Sequence, residues 1–359
     1  MNSLPEKEHR IRIGITHGDI NGIGYEIIIK TLQDPRLLET STVIVYGSSK
    51  VASYHRKTLN FNEFNFNLIK KADLAHPRRP NIININEEEV KIDLGKSTPI
   101  GGEQAFLSLE MALDDILKHN IDVLVTAPIN KKNIQSADFH FPGHTEYLAQ
   151  KSNTEDYLML MVNQTVRIGV ITGHIPLNKV SESLSEDLII RKIKILNHSL
   201  MRDFGVLKPK IAILSLNPHA SDDGLLGDEE AKIIKPAIEK AFNQNILAFG
   251  PYPADGFFGS SNFHEFDGIL AMYHDQGMVP FKVLSFDDGV NFTAGLPFVR
   301  TSPAHGTAYD LAGKNEASPE SFRNAVNIAC DIFNNRLAYD ELLLNPLKPV
   351  LKEPEPPVA

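Results

Sequence analysis

The stretch "FDGILAMYHDQGMVPFK" occupies residues 266–282. It opens as an apolar, strand-like run and passes without a spacer into His274, Asp275, Gln276 and Gly277, with Lys282 a few residues on. A buried strand ordinarily ends in turn residues that carry no chemistry. This one ends in groups that ligate, titrate and bind anions. Where strands alternate with helices, ligands gather at the carboxyl ends of the strands. The stretch therefore reads as a buried strand of an α/β protein that delivers functional groups at its end.

Other short apolar runs rich in β-branched residues have the same character. They are "RIGIT" (12–16), "TVIVYG" (42–47), "DVLVTAP" (122–128), "YLMLMV" (157–162), "VRIGVIT" (166–172) and "KIAILSLN" (210–217). Each is too short for a buried helix and reads as a strand covered on both faces. Helix-period segments lie between several of them. "EQAFLSLEMALDDILKHN" (103–120) puts Phe106, Leu109, Leu113, Ile116 and Leu117 on one stripe. "SEDLIIRKIKILNHSLMRDFG" (185–205) opens on a capping Ser185, has acids in its first turn, and stops at Gly205. This alternation predicts parallel sheets with helices on both faces.

The bulk composition bounds the function. The chain has 359 residues, enough for two ordinary domains or one large one, and a globular apolar share of 42%. Its formal charge of −9 argues against a nucleic-acid surface, which needs a net cationic face. The single cysteine, Cys330, excludes a disulfide framework and a cysteine-based zinc site, as in a reducing compartment. The first ten residues are charged, without the apolar core of a signal peptide. No apolar run approaches the roughly 18–20 residues that span a bilayer. The expectation is a cytoplasmic protein with neither nucleic acid nor membrane as a partner.

His274 has counterparts. "VITGHIPL" places His174 just past one strand, and "LSLNPHAS" places His219 just past another. Three imidazoles with no cysteine describe a catalytic metal site with open positions, as zinc or another divalent transition ion accepts. Magnesium prefers oxygen ligands. No local ligand pair such as HExxH is present. "GDINGIG" (18–24) follows a strand and opens a helix, but it is not G-x-G-x-x-G. It reads equally well as a tight turn with close backbone packing.

An ordered series of motifs adds a resemblance: "GDINGIGYE" (18–26), "TAPINK" (126–131), "FPGHTEYLA" (141–149), "TGHIPL" (172–177), "LNPHA" (216–220), "GPYPAD" (250–255), "YHDQGMVPFK" (273–282) and "GVNFTAGLPFVRTS" (289–302). Together they resemble the 4-hydroxythreonine-4-phosphate dehydrogenase family of vitamin B6 biosynthesis, across nearly the whole chain. The resemblance implies a two-lobed α/β/α fold like that of isocitrate and isopropylmalate dehydrogenases. In it, residues 1–130 and 300–345 would form a cofactor-side lobe and 131–299 a metal, substrate and dimerisation lobe. Residues 346–359, proline-rich and charged, would be a mobile tail. The active site would lie in the interlobe cleft at a homodimer interface.

By the same resemblance His174, His219 and His274 would hold a divalent zinc, cobalt or magnesium ion, one of them contributed by the second subunit. His144, Thr145, Lys282, Asn291 and Arg300 would contact the substrate, a phosphorylated four-carbon hydroxy or amino acid. Arg suits a phosphate through its bidentate fork. "HGTAYDLAGKNEASP" (305–319) is similar to the nucleotide-binding loop of isocitrate and isopropylmalate dehydrogenases. By that analogy His305, Gly306, Thr307, Asp310 and Gly313 would bind NAD or NADP. Asp255, Asp275 and Lys282 are candidates for proton transfer or for orienting neighbours. The implied reaction oxidises 4-phosphooxy-L-threonine and decarboxylates the product to 3-amino-2-oxopropyl phosphate. D-erythronate or D-threonate 4-phosphate is the alternative substrate, and a metal-dependent hydrolase of phosphorylated acids or a non-catalytic two-lobed binding protein the alternative class. Gly256 stands where the family commonly has Thr, Ile20-Asn21 where it has Pro-Ala, and Ala304 where Asp often precedes the histidine.

Overall fold

Twelve strands among the described residues pair into a single sheet. They are β1 (Ile11–Thr16), β2 (Ser41–Gly47), β3 (Asn67–Ile69), β4 (Asn81–Asn84), β5 (Val123–Thr126), β6 (Leu158–Val162), β7 (Arg167–Thr172), β8 (Lys210–Leu214), β9 (Leu247–Tyr252), β10 (Gly268–Tyr273), β11 (Val290–Ala294) and β12 (Val299–Pro303). The computed structural model describes residues 10–285 and 287–344. The tail read at 346–359 lies outside them.

All six short apolar runs, and the run ending at Tyr273, are strands. Side-chain alternation explains why they look continuously apolar. Val43, Val45, Val123 and Val125 join the core on one face of the sheet. Ile44, Tyr46 and Leu124, the intervening positions, join the core on the other face. Both faces are covered, so neither set can be polar. Fully burying each such side chain is worth roughly 1.5–3 kcal/mol.

The order across the sheet is β3-β4-β2-β1-β5-β12-β11-β6-β7-β10-β8-β9. The first six are mutually parallel, and so are the last four, β7-β10-β8-β9. The parallel expectation fails in the middle. There β12–β11, β11–β6 and β6–β7 are all antiparallel, so the two parallel blocks run in opposite directions. The cause is local. β6 and β7 are joined by a tight turn in which Asn163 Oδ1 accepts from the backbone N–H groups of Thr165 and Val166, both at 2.8 Å. β11 and β12 are joined by four residues that start at Gly295, whose φ is +95°. Connections this short leave no length for a crossover helix.

The helix expected at 103–120 runs from Pro99 to Leu117. Thr98 Oγ1 caps it by accepting from Gly101 N at 3.2 Å, and Pro99 takes the first position, where its missing N–H costs nothing. Leu109, Leu113 and Ile116 are buried as the stripe requires, but Leu117 turns outward and is 44% exposed. Residue 117 follows 116 by a 100° step, which carries it off the buried face. The helix expected after Ser185 spans Glu186–Arg202, with Ser185 Oγ accepting from Leu188 N at 3.2 Å. Gly205, at φ +68°, takes the chain out of it. The C-terminal helix Glu320–Leu344 lies on β12 and is tied to the Glu186–Arg202 helix by a buried Arg336–Asp203 ion pair at 2.6 Å.

Candidate active site

A cavity of about 300 Å³ opens over the antiparallel middle of the sheet. That is the lower end of the size range for small-molecule sites. Met159 and Met161 of β6, Asn291 of β11, and Arg300 and Ser302 of β12 line it from the strands. Asn291 is paired across the ladder with Met161 on one side and Ser302 on the other, so these side chains share a face. The walls come from the loops after β5 and β7, the helices His144–Lys151 and His274–Leu284, and the segment after β12.

One corner is built on Arg300, which is 2% exposed. Its Nη2 donates to Thr126 Oγ1 at 2.7 Å and to His144 Nδ1 at 3.2 Å. Its Nη1 donates to Thr293 Oγ1 at 3.4 Å and Thr145 Oγ1 at 3.5 Å. Its Nε is buried with no partner, and among the described residues no carboxylate lies within ion-pair distance of it. Burial, partly offset by the charge of Glu146, pulls its pKa down to about 10. A guanidinium can only donate, so His144 Nδ1 is an acceptor and the ring's proton sits on Nε2. Burial first, then the charges of Arg300 and Lys131, keep His144 well below the usual histidine pKa, so the ring stays neutral. His144 Nε2 and Asn291 Oδ1 are also buried without partners. Two unsatisfied donors, Arg300 Nε and His144 Nε2, in one buried cationic corner describe a place for an oxyanion, while Asn291 Oδ1 is an acceptor awaiting a donor.

The opposite rim carries imidazoles. β7, β10 and β8 are parallel neighbours, so His174, His274 and His219 leave the same edge of the sheet. His174 and His274 line the cavity with ring centroids 5.6 Å apart. His174 Nδ1 lies 3.5 Å from Glu146 Oε1, and its Nε2 lies 3.4 Å from Lys131 Nζ. His274 Nδ1 donates to Asp275 Oδ1 at 2.7 Å. Each ring thus has one nitrogen on a carboxylate and keeps the Nε2 lone pair, the outer-shell arrangement typical of metal-binding histidines. The donor set fits a divalent ion at these two rings. His219 does not join them. It sits exposed in a turn where residues 219–223 all have positive φ, between 46° and 67°. Among the described residues of one chain, no group of three His, Cys, Asp or Glu forms a metal site.

The remaining expected residues divide. Thr145 is buried beside Arg300, and Lys282 lines the cavity from the helix after His274. Asp275 touches His274 but has a side chain 77% exposed, and Asp255 lies outside the cavity on the short helix Ala254–Gly259. His305 and Gly306 line the cavity; Thr307, Asp310 and Gly313 continue the same loop beyond it. His305 Nδ1 faces Gly306 O at 3.1 Å and its Nε2 is buried without a partner. Burial lowers its pKa, so it presents a lone pair. Lys131 and Glu146 line the cavity too, although sequence reasoning did not single them out.

"GDINGIG" supports this loop and does not line the cavity. Ile23 N donates to Thr307 O at 3.1 Å, and Tyr309 OH donates to Asp19 Oδ2 at 2.7 Å. A Cβ on Gly22 would stand 2.7 Å from Thr307 O, so only glycine permits the approach.

Comparison with known proteins bears directly on this geometry. Residues 39–329 match the family described as "Pyridoxal phosphate biosynthetic protein PdxA". The chain belongs to this family. A 4-hydroxythreonine-4-phosphate dehydrogenase of Bacteroides thetaiotaomicron is 51% identical over 343 residues, covering 95% of this chain and 94% of the relative. A relative from Oceanobacillus iheyensis, whose name proposes a D-threonate 4-phosphate dehydrogenase, is 37% identical, covering 89% and 97%. The crystal structure of 4-hydroxythreonine-4-phosphate dehydrogenase from Klebsiella pneumoniae superimposes with a TM-score of 0.76 at 35% identity, covering 90% of this chain and 99% of that one. The PdxA fold is therefore the fold of this chain, and with these relatives the chain is an oxidoreductase. No helix among the described residues is long and apolar enough to cross a membrane.

Proposed function

We propose that this PdxA-family protein oxidises 4-phosphooxy-L-threonine with NAD or NADP and a divalent metal, in pyridoxal 5'-phosphate biosynthesis. The product, 2-amino-3-oxo-4-phosphooxybutanoate, is a β-keto acid that loses carbon dioxide to give 3-amino-2-oxopropyl phosphate. The observation that carries the reading is the pairing of a buried guanidinium lacking a carboxylate partner with two carboxylate-anchored imidazoles across one small cavity. An alcohol that also bears a phosphate and a carboxylate needs such a pairing: anion donors at one end and an acidifying centre at the other.

Arg300, with His144 Nε2, Thr145 and Asn291, would take an anionic group of the substrate, and Lys282 would add charge from the rim. These donors are fixed before the ligand arrives, which favours both affinity and alignment. His174 and His274 would hold the ion through Nε2. His219 of a second copy of the chain would complete the set, in keeping with its position at the same sheet edge but outside this chain's cavity. A divalent ion supplies Lewis acidity toward an alcohol or carbonyl oxygen, and a nicotinamide accepts hydride. His305, Gly306, Thr307, Asp310 and Gly313 would hold the dinucleotide; the buried lone pair of His305 and the open space beside Gly306 support this. Asp275, bonded to His274 and open to solvent, suits an orienting role better than proton transfer at the substrate. The described parts of 1–130 and 300–345 together, and of 131–299, would act as two lobes about the cavity.

The test is direct. Purified protein with 4-phosphooxy-L-threonine, NAD and zinc or magnesium should yield NADH and carbon dioxide. NADH from D-erythronate or D-threonate 4-phosphate, with none from the amino acid phosphate, would transfer the assignment to those substrates. Release of inorganic phosphate without NADH would replace the dehydrogenase by a hydrolase.

A further inference from the structure

We infer that Glu146 is the positioning residue for His174, fixing which ring nitrogen carries the proton. The inference deepens the reading above, since it rests on His174 serving a divalent ion.

Glu146 is the third residue of the His144–Lys151 helix, so it shares a turn with two residues of the anion corner. A carboxylate in a first helical turn is favourable toward the helix dipole wherever it points. This one reaches across to the loop after β7, where Oε1 meets His174 Nδ1 at 3.5 Å. Among the described residues lining the cavity it is the only carboxylate. The other side of the ring fixes the direction of the bond. Lys131 Nζ, an ammonium that can only donate, lies 3.4 Å from His174 Nε2. Nε2 is therefore the unprotonated nitrogen and Nδ1 carries the hydrogen toward Glu146. Two independent contacts agree on one tautomer, the one that leaves a lone pair for a metal.

The neighbouring ring shows what this contact is for. His274 Nδ1 is held in the same way by Asp275, its own sequence neighbour, at 2.7 Å. His174 has no acid within two residues of it in the chain, and its carboxylate arrives from another helix 28 positions upstream.

The test uses 15N-histidine-labelled protein, with the His174 signals assigned by their absence in His174→Ala. Metal-free Glu146→Ala should lose the Nδ1–H tautomer of His174, and its zinc affinity, measured by chelator competition, should fall about 10–100-fold. Glu146→Gln keeps an acceptor oxygen and should restore both readouts to within a few-fold of the unmodified chain. An unchanged His174 tautomer in Glu146→Ala would overturn the inference, as would Glu146→Gln behaving like Glu146→Ala. Should the unmodified protein bind no zinc, the metal reading fails while the tautomer measurement still decides the role of Glu146. Circular dichroism confirms folding of each variant, whose side chain at 146 is partly open to solvent.

Discussion

The Arg300 corner and the histidine rim face each other across one cavity, yet they are constructed in opposite ways. The corner is buried and complete within one chain: Arg300 and His144 are shut off from solvent, and three hydroxyls and a ring nitrogen already surround the guanidinium. The rim is open, with side chains of His174 and His274 more than a third exposed, and the third histidine of the expected set lies elsewhere. A buried cation needs its partners in place before any ligand, because leaving it bare costs several kcal/mol. An exposed imidazole is solvated either way and can wait for a partner. On the proposed function the corner would recognise the substrate and the rim would assemble with its ion.

The largest expected effect separates the two. Arg300→Met keeps the length of the side chain but removes the charge, and should lower kcat/KM for the phosphorylated substrate about 10³-fold, on the scale of two lost charge-assisted hydrogen bonds. Zinc affinity should stay within a few-fold, and the melting temperature should change little, since removal of an unpaired buried charge offsets the acceptors left without their donor at Thr126 and His144. A loss of metal together with substrate would merge the two regions into one unit. His274→Ala is the converse, with zinc affinity down by about 10² and inorganic phosphate affinity unchanged, both measured by calorimetry.

Acid provides the third. His144, His17 and His55 all have folded-state pKa values below the ordinary 6.5, chiefly through burial, the last two at about 3 and about 4. Below pH 6.5 the unfolded chain binds protons that the fold excludes, so stability falls as pH drops through that window and is flat above it. Urea denaturation should show a loss on the order of 4 kcal/mol, roughly 10³-fold in the folding constant, between pH 7.5 and 5.5. A loss smaller by about a third would mean that His144, and with it the corner, admits a proton after all. The smallest effect is expected from Asp275→Asn. Its carboxylate is mostly solvated and the amide still accepts from His274, so kcat should drop less than about tenfold.

Strands were legible because burial on both faces forces β-branched residues into adjacent positions, and Ser185 and Gly205 marked helix ends through local chemistry. Strand direction was not legible, because side-chain alternation is the same in parallel and antiparallel ladders; the short links around Asn163 and Gly295 set it for β6–β7 and β11–β12, while the β11–β6 pair comes together only through the tertiary fold. For the site, residues at strand ends announced themselves, as His174 and His274 did. Glu146 and Lys131 did not, since their contacts with His174 span 28 and 43 residues and exist only once the topology is built. The left-handed turn at His219 was hidden too, because none of residues 219–223 is a glycine.

One consequence of the unbroken ladder concerns motion. Proteins whose halves are joined by slack connectors open and shut by swinging. Here hydrogen-bonded ribbons β12, β11, β6 and β7 run beneath the cavity from one side to the other. To narrow its mouth the molecule must wind these ribbons more tightly about one another, so the resistance is elastic and spread over many bonds. The width of the mouth is therefore set by the ladder itself rather than by a single hinge.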